Sequence, residues 1–94
     1  MGRIIISEPA KQDIADIFYF IKKDNPKIAK NFLSDLLKKI SLLEQFPKLG
    51  KSVQISRQRD LRTLIHLNYR IIYRIRNGDI DIVRVLHTSR LFDL

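Results

Sequence analysis

Residues 69–90 read YRIIYRIRNGDIDIVRVLHTSR, two runs rich in β-branched residues on either side of Asn77-Gly78. Asn-Gly is the dipeptide that a two-residue type I′ turn selects, because both central residues must take positive φ, so the stretch predicts a β-hairpin. That turn sets a register. Arg76 faces Asp79, Ile75 faces Ile80, Arg74 faces Asp81 and Tyr73 faces Ile82; then Ile72 faces Val83, Ile71 faces Arg84, Arg70 faces Val85 and Tyr69 faces Leu86. Alternate pairs share a face of the sheet. One face therefore collects Tyr69, Ile71, Tyr73, Ile75, Ile80, Ile82 and Leu86, a core face with Arg84 as its only charge. The other collects Arg70, Ile72, Arg74, Arg76, Asp79, Asp81, Val83, Val85 and His87.

The register also sorts the five arginines of the stretch. Arg76 with Asp79 and Arg74 with Asp81 are cross-strand opposite-charge pairs, each worth about 0.2–1 kcal/mol. Arg84, on the core face, is expected to send an amphipathic stem to an acid or to the rim. Arg70 has no acid opposite it, and Arg90 lies beyond the strand. Arg57 and Arg59 precede the strand before the hairpin, where they can add positive charge around Arg70. Arg62 and His66 share the face of Arg70 if the Leu67-Asn68 connection is three residues long, and point away if it is two.

Outward from the hairpin, Ile4-Ile5-Ile6 reads as a first strand. Ser7 caps a helix with Glu8 and Pro9 in its first turn, and Ile14, Ile17, Phe18 and Ile21 carry it at i, i+3, i+4, i+7 spacing to about Lys23. Asn25 caps a second helix with Pro26 at its first position. The stripe Ala29, Phe32, Leu33, Leu36, Ile40, Leu43 runs to the stop at Phe46-Pro47. So short a connection makes an antiparallel helical hairpin. Residues 47–59, PKLGKSVQISRQR, read as a loop, and Leu61–Leu67 as the strand before the hairpin. The fold class expected is α+β: an N-terminal strand and a helical hairpin packed on one face of a largely antiparallel four-stranded sheet, one domain spanning residues 1–94.

Composition narrows the chemistry. Cysteine is absent, which excludes disulfides, thiolate nucleophiles and zinc-thiolate sites and fits a cytoplasmic location. No cofactor and no metal are expected. MGRIII is followed by a capped polar helix rather than a signal-peptide apolar region, and no run is long enough to span a bilayer. The net charge of +8 points to an acidic or polyanionic partner. All nine lysines lie between Lys11 and Lys51, where they read as a solvated helical face, and eight of nine arginines lie between Arg57 and Arg90. Arginine binds phosphate or carboxylate as a planar fork, so function is sought in the second half.

With these pieces in order, the chain resembles the RelE/ParE superfamily of toxins from type II toxin-antitoxin operons. The resemblance is carried by IIISEPAKQDIADI, by LLEQFPKLGK at the end of the second helix, by DLRTLIHLNYRIIYRI and by DIDIVRVLHTSR, and it covers nearly the whole chain. It implies a basic toxin neutralised by a cognate acidic antitoxin from the adjacent gene. Two branches then compete. The RelE-like branch is a metal-independent endoribonuclease that cleaves messenger RNA on the ribosome. Its motif maps a key arginine onto Arg70 of YRIIY and a second onto Arg90, with Arg62 and His87 as the nearest groups for phosphate and proton. The lysines and late tyrosine of that catalytic set have no counterpart: no lysine follows Lys51 and no tyrosine follows Tyr73. A guanidinium such as that of Arg62 is a poor base, whereas an imidazole such as that of His87 is the side chain most often used to carry a proton.

The ParE-like branch inhibits DNA gyrase by binding and needs no nuclease set. The long helical hairpin, FPKLGK and VRVLHTSR are similar to this branch, which is the expected one, with Arg90 and the C-terminal residues as target contacts. A non-toxic basic module holding nucleic acid through Arg57, Arg59, Arg62, Arg70 and Arg90 is the third reading.

Overall fold

The computed structural model describes residues 2–55 and 58–89, with the backbone alone at Gln54, Ile55, Gln58 and Arg59. The chain runs through β1 (Ile4–Ile6), α1 (Glu8–Asp24), α2 (Pro26–Ser41) with a 3₁₀ turn at Leu42–Glu44, β2 (Lys51–Ile55), β3 (Gln58–His66), β4 (Tyr69–Arg76) and β5 (Asp79–His87). The strands form one sheet in the order β1-β5-β4-β3-β2, with β1 parallel to β5 and the other neighbours antiparallel. This is the expected α+β architecture with one more strand. β2 falls within residues 47–59, which the sequence presents as loop. Its Lys-Ser-Val-Gln-Ile alternation is masked by flanking Pro, Gly and Arg, and an edge strand is specified by its partner: Lys51 pairs with Thr63, Ser52 with Arg62 and Val53 with Leu61.

The caps act as expected. Ser7 Oγ accepts from Ala10 N at 3.1 Å. Asn25 closes α1 by donating its N–H to Ile21 O and starts α2 by accepting from Ile28 N at 3.1 Å. α2 ends earlier than Phe46, because its last turn tightens to 3₁₀ over Leu42–Glu44. The stripes of Ala10, Ile14 and Ile17 on α1 and of Phe32, Leu36 and Ile40 on α2 meet Ile71, Tyr73, Ile80, Ile82 and Val85 of the sheet. Each large side chain fully buried there contributes about 1.5–3 kcal/mol.

The β4–β5 register follows the Asn77-Gly78 turn for four pairs and then shifts. Asn77 (φ 52°) and Gly78 (φ 83°) both take the positive φ that a type I′ turn demands. Arg76↔Asp79 to Tyr73↔Ile82 are as expected, but a bulge then pairs Ile72 with Arg84, Ile71 with Val85, Arg70 with Leu86 and Tyr69 with His87. One extra residue flips every later side chain. Val85 therefore joins the core in place of Leu86, and Leu86 joins Leu61 and Ile72 in a smaller cluster on the opposite face.

Side chains of α1 and of its cap satisfy the bulge. Ser7 Oγ donates to Val83 O at 2.9 Å, and the Asp13 carboxylate accepts from Val85 N at 3.0 Å. Arg84 does reach an acid, as expected, by a bidentate contact with Asp13 at 2.6 and 2.9 Å. That acid lies on a helix, 71 residues away in sequence, and the position of Arg84 at the bulge brings the two together.

Candidate functional site

Among the described residues, most of the arginine side chains are occupied. Arg74 Nε and Arg76 Nε both approach Asp81 Oδ2, at 3.3 and 3.1 Å. The pairing of Arg76 with Asp79 holds for the backbone only, since Asp79 Oδ1 instead accepts from Arg3 N at 2.9 Å. Hydrogen bonding to Asp13, with the carboxylate charge also favourable, raises the pKa of Arg84 against the opposing effect of its burial.

Arg62 is also committed. It lies on the helix-facing side of β3, opposite Tyr73, and its Nη1 donates to Gly50 O at 2.8 Å. Tyr73 is fully buried; its hydroxyl donates to Pro47 O at 2.7 Å and accepts from Gly50 N at 2.8 Å. Burial pushes the Tyr73 phenol up, against the Gly50 hydrogen bond and the Arg62 charge. These bonds fix the turn that leads from the helices into β2, and leave Phe46 and Leu49 exposed on it.

The two-residue Leu67-Asn68 connection decides the question left open by the sequence. His66 pairs with Tyr69, Ile65 with Arg70 and Arg62 with Tyr73, so Arg62 and His66 point away from the face of Arg70. The bulge does the same to His87, which pairs with Tyr69 and stacks edge-on to its ring at 5.5 Å, a correction to its expected place beside Arg70. His87 Nδ1 lies 2.9 Å from Ser89 Oγ. His66 is buried against Phe32, and burial, followed by the Lys39 ammonium, lowers its pKa while Asp35 opposes. Arg57 and Arg90 and the side chain of Arg59 lie outside the described residues.

Arg70 is thus separated from Arg62, His66 and His87 by the thickness of the sheet. Proton transfer needs donor and acceptor within about 3 Å or one bridging water, so these groups do not form one acid-base centre. Among the described residues Arg70 Nε is buried without a hydrogen-bond partner. It shares a cleft of about 420 Å³ with Leu49, Lys51, Thr63, Leu64 and Ile65. Lys51 is a residue that sequence reasoning placed among solvated lysines. The usable signal was the alternation of KSVQI, which marks a strand and brings Lys51 onto the face of Arg70.

A second feature was also missed. Tyr19 is 61% and Phe20 68% exposed on α1, off the buried stripe. Lys22 Nζ lies 5.8 Å from the Tyr19 ring centroid and 5.9 Å from that of Phe18. No helix among the described residues is long and apolar enough to cross a membrane, and no group of three or more His, Cys, Asp or Glu among them is placed to hold a metal ion.

Comparison with known proteins agrees with this architecture. Residues 4–92 match the family model described as ParE toxin of type II toxin-antitoxin system, parDE. The chain is 30% identical over 87 residues to Toxin ParE3 of Caulobacter vibrioides, covering 92% of this chain and 86% of that protein. A chain of the chromosomal ParDE toxin-antitoxin system from P. aeruginosa has the same fold, with a TM-score of 0.77 at 20% identity over 93% of this chain and 96% of that one. A chain of the RelBE2 toxin-antitoxin complex from Mycobacterium tuberculosis follows it with a TM-score of 0.66 at 21% identity over 92% and 96% of the two chains. The match across the helical hairpin, the Pro47–Gly50 turn and all five strands places this chain in the ParE toxin family of type II toxin-antitoxin systems, within the RelE/ParE superfamily.

Proposed function

We propose that the protein arrests bacterial growth in the cytoplasm as a ParE-like toxin, by binding DNA gyrase rather than by cutting messenger RNA, and that an acidic antitoxin from the adjacent gene silences it. The observation that supports this over nuclease action is the division of Arg70 from Arg62 and His87 by the sheet. In-line cleavage by a 2′-OH needs a base, an acid and cations around one phosphate. Arg62 is engaged with Gly50 O and Arg84 with Asp13, which leaves neither free to serve such a phosphate. Inhibition by binding needs only a surface. Arg90 and the C-terminal residues are the proposed target contacts. Induction of the gene alone arrests growth, and co-expression of the neighbouring gene relieves it; harmless expression of folded protein would refute the toxin reading. Purified toxin blocks gyrase supercoiling and leaves messenger on programmed ribosomes intact. Cut messenger beside an unaffected gyrase reaction would transfer the protein to the nuclease branch.

A further inference from the structure

Arg70 and Lys51 line one cleft and are related through two strand pairings. Lys51 pairs with Thr63 on β3, Ile65 pairs with Arg70, and these four side chains share the face of the sheet opposite the helices. Thr63 is only 5% exposed, and Arg70 Nε is buried with no partner among the described residues. A buried guanidinium N–H without an acceptor is costly unless a ligand supplies one. The cleft these residues line contains no acid among its described lining residues, and its two cations stand in a rim of Leu49, Leu64 and Ile65. Leu49 and Ile65 are about half exposed.

We infer that the cleft of Lys51, Thr63 and Arg70 is a carboxylate-binding site that reads an acidic side chain of an extended partner polypeptide, with Leu49 and Ile65 receiving its apolar neighbours. The oxyanion accepts from Arg70 Nε–H and from the Lys51 ammonium, a charge-assisted pair in a partly dry setting. The rim selects polypeptide over nucleic acid. A phosphodiester chain needs cations along its track and rings on which bases stack, and the described lining residues include no aromatic side chain. The site opens beside β2, the edge strand of the sheet among the described residues, and an edge strand is where an extended segment adds by backbone pairing. The inference deepens the proposed function, on which it rests for the partner's identity, by locating where an acidic antitoxin is read.

The test follows the Arg70 Nε–Hε resonance of the ¹⁵N-labelled full chain during titration. The probes are the peptide acetyl-Leu-Glu-Leu-Glu-Leu-amide, a short oligothymidylate and inorganic phosphate. The peptide shifts the resonance saturably and binds more tightly than either phosphate probe. Lys51→Gln weakens binding about tenfold by that resonance, and Arg70→Ala, which lacks the N–H, does so by the backbone amide shifts of Thr63 and Ile65, the loss expected for one charge-assisted contact, with melting temperatures unchanged. Lys51 is exposed, so its variant folds even if Arg70→Ala does not. A tighter response to oligothymidylate or phosphate would make this a phosphate site and overturn the inference. Peptide binding indifferent to both substitutions, or no shift at all, would overturn it equally. Growth arrest is scored separately: a toxic chain whose cleft ignores the peptide refutes only this inference, and a peptide-binding chain that is harmless refutes only the toxin reading.

Discussion

Replacing Asp13 by alanine removes three hydrogen bonds at once: those from Arg84 Nε at 2.6 Å, from Arg84 Nη2 at 2.9 Å and from Val85 N at 3.0 Å. The Asp13 side chain is 13% exposed and that of Arg84 31%, so water can recover part of the guanidinium's loss but little of the backbone's. An unsatisfied buried N–H costs about 1–3 kcal/mol. The charge-assisted pair, discounted for exposure, adds roughly 1 kcal/mol, giving a total near 3 kcal/mol. A chain of this size has only about 5–14 kcal/mol of stability. Urea unfolding followed by far-UV circular dichroism reads the loss as a fall in midpoint of about 1–3 M, for an m-value of about 1–3 kcal/mol/M. Because Asp13 holds the bulge, exchange of the Val85 amide accelerates before that of Ile71, its partner within the sheet. Asp16→Ala is the control, since Asp16 is exposed and bonds only Gln12 at 2.8 Å among the described residues. A cycle with Arg84→Ala isolates the pair. If Asp13→Ala falls within 0.5 kcal/mol of the parent, or no further from it than Asp16→Ala, the assignment of the bulge to this carboxylate is wrong.

Other expectations rest on single contacts. Tyr73→Phe leaves Pro47 O and Gly50 N without their buried partner, and lowers stability by about 2 kcal/mol in the same urea assay. Gly50→Ala is worse, since a Cβ there would stand 2.7 Å from Thr63 O and from the Tyr73 ring, and soluble yield and urea midpoint both fall. Leu67 holds φ 55° in its two-residue loop, so Leu67→Gly raises the melting temperature, by relief of about 1 kcal/mol of backbone strain. For His66, burial and then Lys39 lower the folded-state pKa, so below about pH 6.5 the unfolded chain binds the proton first. Stability is therefore full above that pH and declines as pH falls through it toward the folded value. His66→Leu flattens this limb in urea midpoints taken from pH 7.5 to 5, and an unchanged slope would refute it.

The regular elements were legible because they rest on local rules. Ser7 and Asn25 cap the helices they precede, the two apolar stripes are buried, and Asn77-Gly78 turns as its φ requirement dictates. Arg74 also found its expected acid, Asp81, since four pairs of register follow from the turn alone, whereas Arg76 bonds that same carboxylate instead of the Asp79 that faces it. β2 was illegible for a related reason: an edge strand among Pro, Gly and charge has little pattern of its own and takes its conformation from β3.

Sequence by itself determined the helical hairpin, the β-hairpin and the superfamily resemblance, all of which arise from periodicity, capping and turn chemistry over short spans. Tertiary structure decided which residues stand together. A carboxylate on α1 accepts the amide of Val85 and the fork of Arg84, and the bulge held there turns His87 away from Arg70. The two-residue connection at Leu67-Asn68 turns Arg62 and His66 away as well, while β2 brings Lys51 to the side of Arg70. A strand repeats every two residues, so one inserted residue or one loop length reverses a face, and contacts made far along the chain set both.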